Sequence, residues 1–174
     1  LDKIPHLNSY YKGDLNKLIV CDMAKEIGLN IPEYFIVDSK EKFQELKNHK
    51  KYITKTISGD PFITINNSTG IMYTTEIEES KLNDYFFPSL FQEKVEKDFE
   101  LRIFYMDSTC YPMAIYSQLD PQTATDFRVY NNENPNRTEQ YELPDAIERK
   151  IHKLMVALEI ESASIDMIVT PSGE

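Results

Sequence analysis

Cations are in short supply in this chain: 19 lysines and arginines stand against 29 aspartates and glutamates, a formal net charge of -10. A phosphate backbone is held mainly by clustered Lys and Arg, so this balance argues against nonspecific nucleic-acid binding, and any phosphate must be met locally. Cysteine is scarce as well. Cys21 falls in a helical pattern and Cys110 in an apolar strand pattern, neither in a metal or redox spacing, which suits buried thiols in a reducing cytoplasm. His6, His49 and His152 are too scattered to form a zinc site. No apolar run is long enough to span a bilayer, and no repeat or low-complexity tract occurs. What remains is a chain of 174 residues, 41% apolar and 28% charged, enough for one substantial core or two small lobes of a globular protein. It begins at Leu1 and stops in the turn signal Ser172-Gly173-Glu174, as an excised piece of something longer would.

Hydrophobic spacing organises the chain. Over residues 14–28, Ile19, Val20, Met23, Ala24 and Ile27 share one helical arc, with Asp14 placed to cap the start and Gly28 to end it. Pro32 opens a short strand to Val37, and Ser39 caps a second helix that buries Phe43 and Leu46 and ends near Asn48. Together these read as a helix, strand, helix module. Residues 52–56 read as a strand delivering Lys55, a Ser58-Gly59-Asp60-Pro61 turn follows, and another strand covers 70–76. That turn is either a phosphate loop or an ordinary hairpin connection, and a lone glycine does not separate the two. After Pro88 the spacing predicts an antiparallel meander of three strands at 90–97, 99–106 and 111–118, the last two joined by a tight Asp107-Ser108 turn. The polar stretch 120–141 reads as a mobile loop with Asp126-Phe127-Arg128 in its middle. Pro144 then opens a helix with an apolar stripe of Ile147, Ile151, Leu154, Met155 and Leu158, and a strand covers 162–170.

The charges that need a reason lie in the strands. In the run from Phe91 to Tyr105, alternation puts Phe99, Leu101, Ile103 and Tyr105 on one side and Glu100, Arg102 and Phe104 on the other. An acid and a base therefore share a face. They form either a cross-strand ion pair on a solvated surface, worth a few tenths of a kcal/mol, or part of a nucleotide site. In the second case Gln92 to Val95 would present backbone groups to a base edge, Glu100 would accept from ribose hydroxyls, and Arg102 would meet phosphate or a reacting carboxyl group. Spacing alone does not choose. Asp166 poses the same question, because Ile165, Met167, Ile168 and Val169 argue for burial, and an unpaired carboxylate there would cost several kcal/mol. Its partner is either a structural hydrogen bond or arginine, or a magnesium ion shared with phosphate oxygens.

In order along the chain, Asn16-Lys17, Ala24 and Gly28-Leu29-Asn30-Ile31-Pro32, then Lys55, Phe91-Gln92-Glu93-Lys94-Val95, Glu100-Leu101-Arg102, Ser117-Gln118, Asp126-Phe127-Arg128, Leu143-Pro144 and the run from Ile165 to Glu174 resemble the ATP-grasp ligases. The resemblance is strongest to the peptide-maturing branch, the microviridin-type or graspetide ligases, which crosslink side chains of a ribosomally made precursor peptide. It implies an α+β ATP-grasp fold, with two α+β lobes whose antiparallel sheets enclose a nucleotide cleft. The end of a linker region and the N-terminal subdomain would occupy 1–88, and an incomplete C-terminal subdomain 89–174. ATP and Mg2+ would be the cofactors. Lys55 resembles the lysine that reaches phosphate, Lys17 a weaker second contact, and Gln92, Glu93, Lys94 and Val95 the hinge around adenine. Glu100 resembles the ribose acid, Arg102 and Arg128 the arginines on phosphate or the activated acyl group, and Asp166 the first magnesium ligand.

The implied chemistry is ADP-forming activation of a peptide carboxylate as an acyl phosphate, displaced by an amine or a hydroxyl to give an amide or ester. A precursor peptide is the implied partner, without nucleic acid or membrane, and a homodimer is left open. Some features depart from the family. Its members have a further lobe before the position of Leu1, and they continue past Glu174 into a strand with a glutamate and an asparagine, so the expected metal site is incomplete here. Phe127 stands where a tryptophan is common, and residues 159–164 are more polar and free of glycine. Two alternatives accompany the ligase reading: a non-catalytic peptide- or protein-binding module in which Glu100, Arg102 and Asp166 are structural, and a small-molecule carboxylate-amine ligase.

Overall fold

A computed structural model describes residues 7–8, 15–57, 62–66 and 68–173; the turn expected at 58–61 and the cap expected at Asp14 lie outside them. Helix α1 (Lys17–Glu26) starts later than the apolar arc suggests, because Asn16 takes an extended conformation and its side chain accepts the Leu18 N–H at 2.9 Å. Gly28 ends it with φ +88°, a left-handed backbone that a side chain would strain. Strand β1 (Tyr34–Ser39) runs into α2 (Lys40–Leu46), whose start is capped by Ser39 as expected. Phe43 is buried, but Leu46, expected in the core, is 50% exposed. It occupies the last turn of a seven-residue helix, where the chain has already left the sheet.

Strand β2 (Tyr52–Lys55) is followed by a separate hairpin of β3 (Phe62–Ile65) and β4 (Ser68–Ile71). The single strand expected at 70–76 is thus divided: β4 pairs with β3, while β5 (Thr75–Glu76) pairs with β2. Strand β6 (Tyr85–Glu93) pairs with β1 on one side and β2 on the other, giving a four-stranded sheet in the order β1-β6-β2-β5. Strands β7 (Phe99–Met106), β8 (Thr109–Tyr116), β9 (Arg137–Gln140) and β10 (Ser162–Val169) form a second sheet in the order β10-β7-β8-β9. Every pair in both sheets is antiparallel.

The three-strand meander does not form. Of its three strands only the last two, β7 and β8, make a hairpin, with Asp107 and Ser108 at φ 44° and 67° in the doubly left-handed turn that suits strand twist. β6 belongs to the other sheet because Phe86 and Phe91 join Phe35, Val37, Phe43 and Tyr52 in a small, mainly aromatic core, with ring centroids such as Phe43–Phe91 at 4.9 Å. The 88/89 position at which two subdomains are expected to meet falls inside β6. Nor is there a self-contained helix, strand, helix module. α2 packs on β1, whereas α1 lies with α3 (Asp145–Leu158) against the second sheet, where Ala24 and Leu29 share the larger core with Leu101, Ile103, Tyr105, Ile151 and Leu154.

The 120–141 stretch is less loose than its composition suggests, since β9 extends the second sheet into it. Its Thr123 hydroxyl is fully buried and donates to the Ser117 carbonyl at 2.9 Å. Cys21 and Cys110 are free and half-buried rather than fully enclosed; burial raises both thiol pKa values, that of Cys110 to about 11. No helix among the described residues is long and apolar enough to cross a membrane.

Burial separates two apolar positions that look alike in sequence. Ile103, with no exposed surface, sits between β10, β8 and α3, so Ile103→Ala should destabilise the fold by about 2–5 kcal/mol. Leu46→Ala should stay within about 0.5 kcal/mol of the parent. Urea unfolding followed by circular dichroism measures both, and equal losses would contradict this placement of the core.

Candidate functional site

Strand β7 is central in the second sheet, hydrogen-bonded on both edges, and its pleat sends Leu101, Ile103 and Tyr105 into the core. Its other face carries Glu100 and Arg102, beside Asp166 of β10, which is the register partner of Arg102. That charged face looks across an open cleft of about 430 Å³ towards the first sheet. The volume falls in the range of small-molecule sites. All the side chains nominated from sequence line it: Lys17 at the start of α1, Lys55 at the end of β2, Gln92 to Val95 where β6 leaves its sheet, Glu100 and Arg102 on β7, Arg128 in the 120–136 connection, and Asp166.

Five of these are cations; Lys94 pairs with Glu76, and the other four are held differently. Lys55 is half-buried and makes no ion pair or hydrogen bond with another described residue; burial pulls its pKa below the ordinary lysine value, and the positive charges of Lys17 and Arg128 add to that against the opposing influence of Cys21. The Lys17 ammonium donates to the Thr56 carbonyl at 3.2 Å. Arg102 pairs through Nε with Asp166 at 3.1 Å and donates to the Ser164 hydroxyl at 2.7 Å. Its guanidinium also lies 5.0 Å from the centre of the Phe127 ring, within cation–π reach. Arg128 grips Asp126 with two parallel bonds, Nε to Oδ1 at 2.9 Å and NH2 to Oδ2 at 2.7 Å.

The carboxylates divide in the same way. Glu100 is buried, and both of its donors, Lys97 at 2.8 Å and the Ser117 hydroxyl at 2.7 Å, fall on Oε1, which leaves Oε2 able to accept from a ligand. Asp166 is open towards the cleft, but the walls around it displace water, and this burial raises its pKa against the lowering pull of Arg102 and Arg128. Asp126 is 5% exposed. Burial opposes its ionisation, yet the Arg128 side chain and the Thr74 and Arg128 amides hold its pKa at about 2. At the hinge, the Glu93 and Lys94 amides already donate to the Glu33 and Lys51 carbonyls, both at 2.8 Å. The Val95 amide has no such internal acceptor among the described residues.

Several residues here were given no role from the sequence. Lys97, with 7% of its side chain exposed, neutralises Glu100 from the hinge side, and Ser117 shares that acid. Asp126 lies within the Asp126-Phe127-Arg128 run, but its burial and its reach to Thr74 of the opposite lobe have no sequence signal. The ion-pair reading of Arg102 and the site reading turn out not to exclude one another, since the Arg102–Asp166 pair itself lines the cleft.

Asp126 makes the site sensitive to acid. Its folded-state pKa lies below the unfolded value, so its stabilisation, roughly 2–3 kcal/mol, is complete above about pH 4 and is lost as pH falls towards about 2. Asp126→Asn should therefore destabilise the protein at neutral pH and progressively less below about pH 4. Urea unfolding of both forms across that range tests it; a gap that does not narrow would show that the carboxylate charge is not the cause.

No protein-family model matches the sequence, and no curated protein matches it significantly. Solved structures do. A RiPP-associated ATP-grasp ligase from Chryseobacterium gregarium, in complex with ADP and with a leader and core peptide, superposes with a TM-score of 0.81 at 28% identity, over 91% of this chain and 49% of that one. The macrocyclase MdnC from Microcystis aeruginosa MRC, bound with precursor peptide MdnA, gives 0.73 at 26% identity, over 90% and 50%. The D-alanine–D-alanine ligase from Bacillus anthracis gives 0.57 at 14% identity, over 90% and 53%, a likeness of fold alone. The chain spans about half the length of the structures it matches. Two antiparallel lobes around a charged cleft, superposing this well, make the chain a partial ATP-grasp ligase fold, similar to the RiPP-associated ligases that share it.

Proposed function

We propose that this chain forms the nucleotide-binding part of an ADP-forming ligase that activates a side-chain carboxylate of a ribosomally made precursor peptide for ester or amide crosslinking. One observation carries the reading: residues spread from Lys17 to Asp166, nominated for a single triphosphate, converge on one cleft. The base would sit at the hinge, with the Val95 amide, which has no acceptor among the described residues, as a donor and neighbouring backbone carbonyls as acceptors. Glu100 Oε2 would accept from the ribose hydroxyls. Lys55, a desolvated cation without a partner among the described residues, gains most from a phosphate, and Lys17 lies beside it. Arg102 and Arg128 would balance charge on the transferring phosphoryl group and the acyl oxygen.

The residues present fit magnesium in part. No group of three or more metal-ligating side chains occurs among the described residues, but Mg2+ commonly takes one or two carboxylates and completes its shell with phosphate oxygens and water. Asp166 would hold it, and the ion would neutralise charge on the phosphates when bound. In the reaction, a carboxylate oxygen of the peptide attacks the γ-phosphorus, ADP leaves, and an amine or hydroxyl then attacks the acyl carbon with loss of phosphate. The likeness to peptide-modifying ligases, 0.81 at 28% identity against 0.57 at 14% for a small-molecule ligase, supports a peptide over a free amino acid as substrate. Two free cysteines support a reducing, cytoplasmic setting.

The full-length protein, with Mg2+, ATP and a precursor peptide, should release ADP in proportion to crosslinks formed. Formation of AMP, or no nucleotide turnover with any peptide, would end the acyl-phosphate reading. Lys55→Ala should weaken ATP binding by roughly 10- to 100-fold in isothermal titration. Unchanged ATP affinity would favour the binding-module alternative.

A further inference from the structure

Asp126 stands out because it is more than a counter-ion. It lies in the connection from the second sheet, yet its Oδ2 accepts the Thr74 amide at 3.0 Å, and Thr74 belongs to the first lobe, directly before β5. β5 is laddered to β2, with Thr75 opposite Thr54, the residue that precedes Lys55. The same carboxylate accepts two bonds from the Arg128 side chain and one from the Arg128 amide at 3.0 Å. One buried side chain thus joins the segment that carries Arg128 to the strand pair that carries Lys55. Those two cations repel one another, and Arg128 is among the charges that depress the lysine. An anion between the lobes offsets that repulsion.

Resting on the reading of this cleft as a nucleotide site, we propose that Asp126 is a positioning residue: it latches the lobes through the Thr74 amide so that Arg128 and Lys55 bear on the same phosphoryl group. Asp126 and Thr74 both line the cleft, but the two Asp126 oxygens are taken by Arg128 and the Thr74 amide. Asp126 acts through Arg128 and through the lobe spacing, so its loss should fall on kcat rather than on nucleotide affinity. Small misplacements of positioning groups cost up to about 100-fold in rate.

The test uses the full-length protein, with ADP release in the presence of peptide and ADP affinity by titration. Asp126→Asn removes the charge that Arg128 grips, and Thr74→Pro removes the amide donor together with the threonine side chain and the freedom of φ. Each should lower kcat by about 10- to 100-fold and leave ADP affinity within about threefold, and the double variant should be little worse than either single one. Thr74→Ala, which keeps the amide, should lower kcat less than Thr74→Pro does. Losses that add in the double variant, kcat at the wild-type level, or loss of ADP binding would each overturn the latch. Hydrogen exchange in the unsubstituted protein gives a check that needs no variant: the Thr74 amide should be protected, and exchange at the rate of an open amide would also overturn it. If the unsubstituted protein turns over no ATP, the function reading fails; if it does and these variants match it, only the latch fails.

Discussion

The constraint on which this structure depends is the mutual repulsion of cations gathered by an acidic chain. Lys17, Lys55, Arg102 and Arg128 line one cleft, and like charges ~4 Å apart at an effective dielectric near 20 repel by about 4 kcal/mol. The chain answers by interleaving carboxylates. Asp166 pairs with Arg102, Asp126 with Arg128, and Glu100 with Lys97. Lys55 has no such pairing among the described residues, and burial lowers its pKa. The excess of acid in the composition is therefore no obstacle to a phosphate site, because the balance that matters is local.

Rigidity comes from where the charges are mounted. β7 is laddered to β10 and β8 and packed from beneath by Leu101, Ile103 and Tyr105 against α3, so Glu100 and Arg102 stand on the best-anchored strand of the larger core. The first lobe has a smaller core, built largely from aromatic rings on β1, α2, β2 and β6. Large rings bury much area per residue, which suits a lobe of few residues. The segment from 94 to 98 carries the chain from β6 to β7, from one sheet to the other, and so places the hinge residues at the end of the cleft between the two.

Likeness to solved structures and likeness of motif address different levels. A TM-score of 0.81 establishes the architecture, while 28% identity over about half of the other chain leaves the chemistry to the side chains themselves. Here those side chains lie together along one cleft. Arg102 and Asp166 show why order along the chain was needed: as a pair they are compatible with a plain surface salt bridge, and only their company in the cleft sets them apart from one.

Local features were legible in the sequence because their causes are local. The Ser39 cap, the Gly28 stop, the Asp107-Ser108 turn and the apolar stripe of α3 each depend on a few neighbouring residues, and each is present. Alternation likewise told which face of β7 would carry charge. What sequence alone could not determine was pairing between distant segments. β6 could have continued a meander, and α1 could have packed on its own strand, until ring packing and sheet register chose otherwise. The burial of Lys97 and the reach of Asp126 to Thr74 belong to the same class. A residue's type and spacing set what it can do; the free energy of burying it, and so its partner, is decided by atoms brought near only when the chain closes on itself.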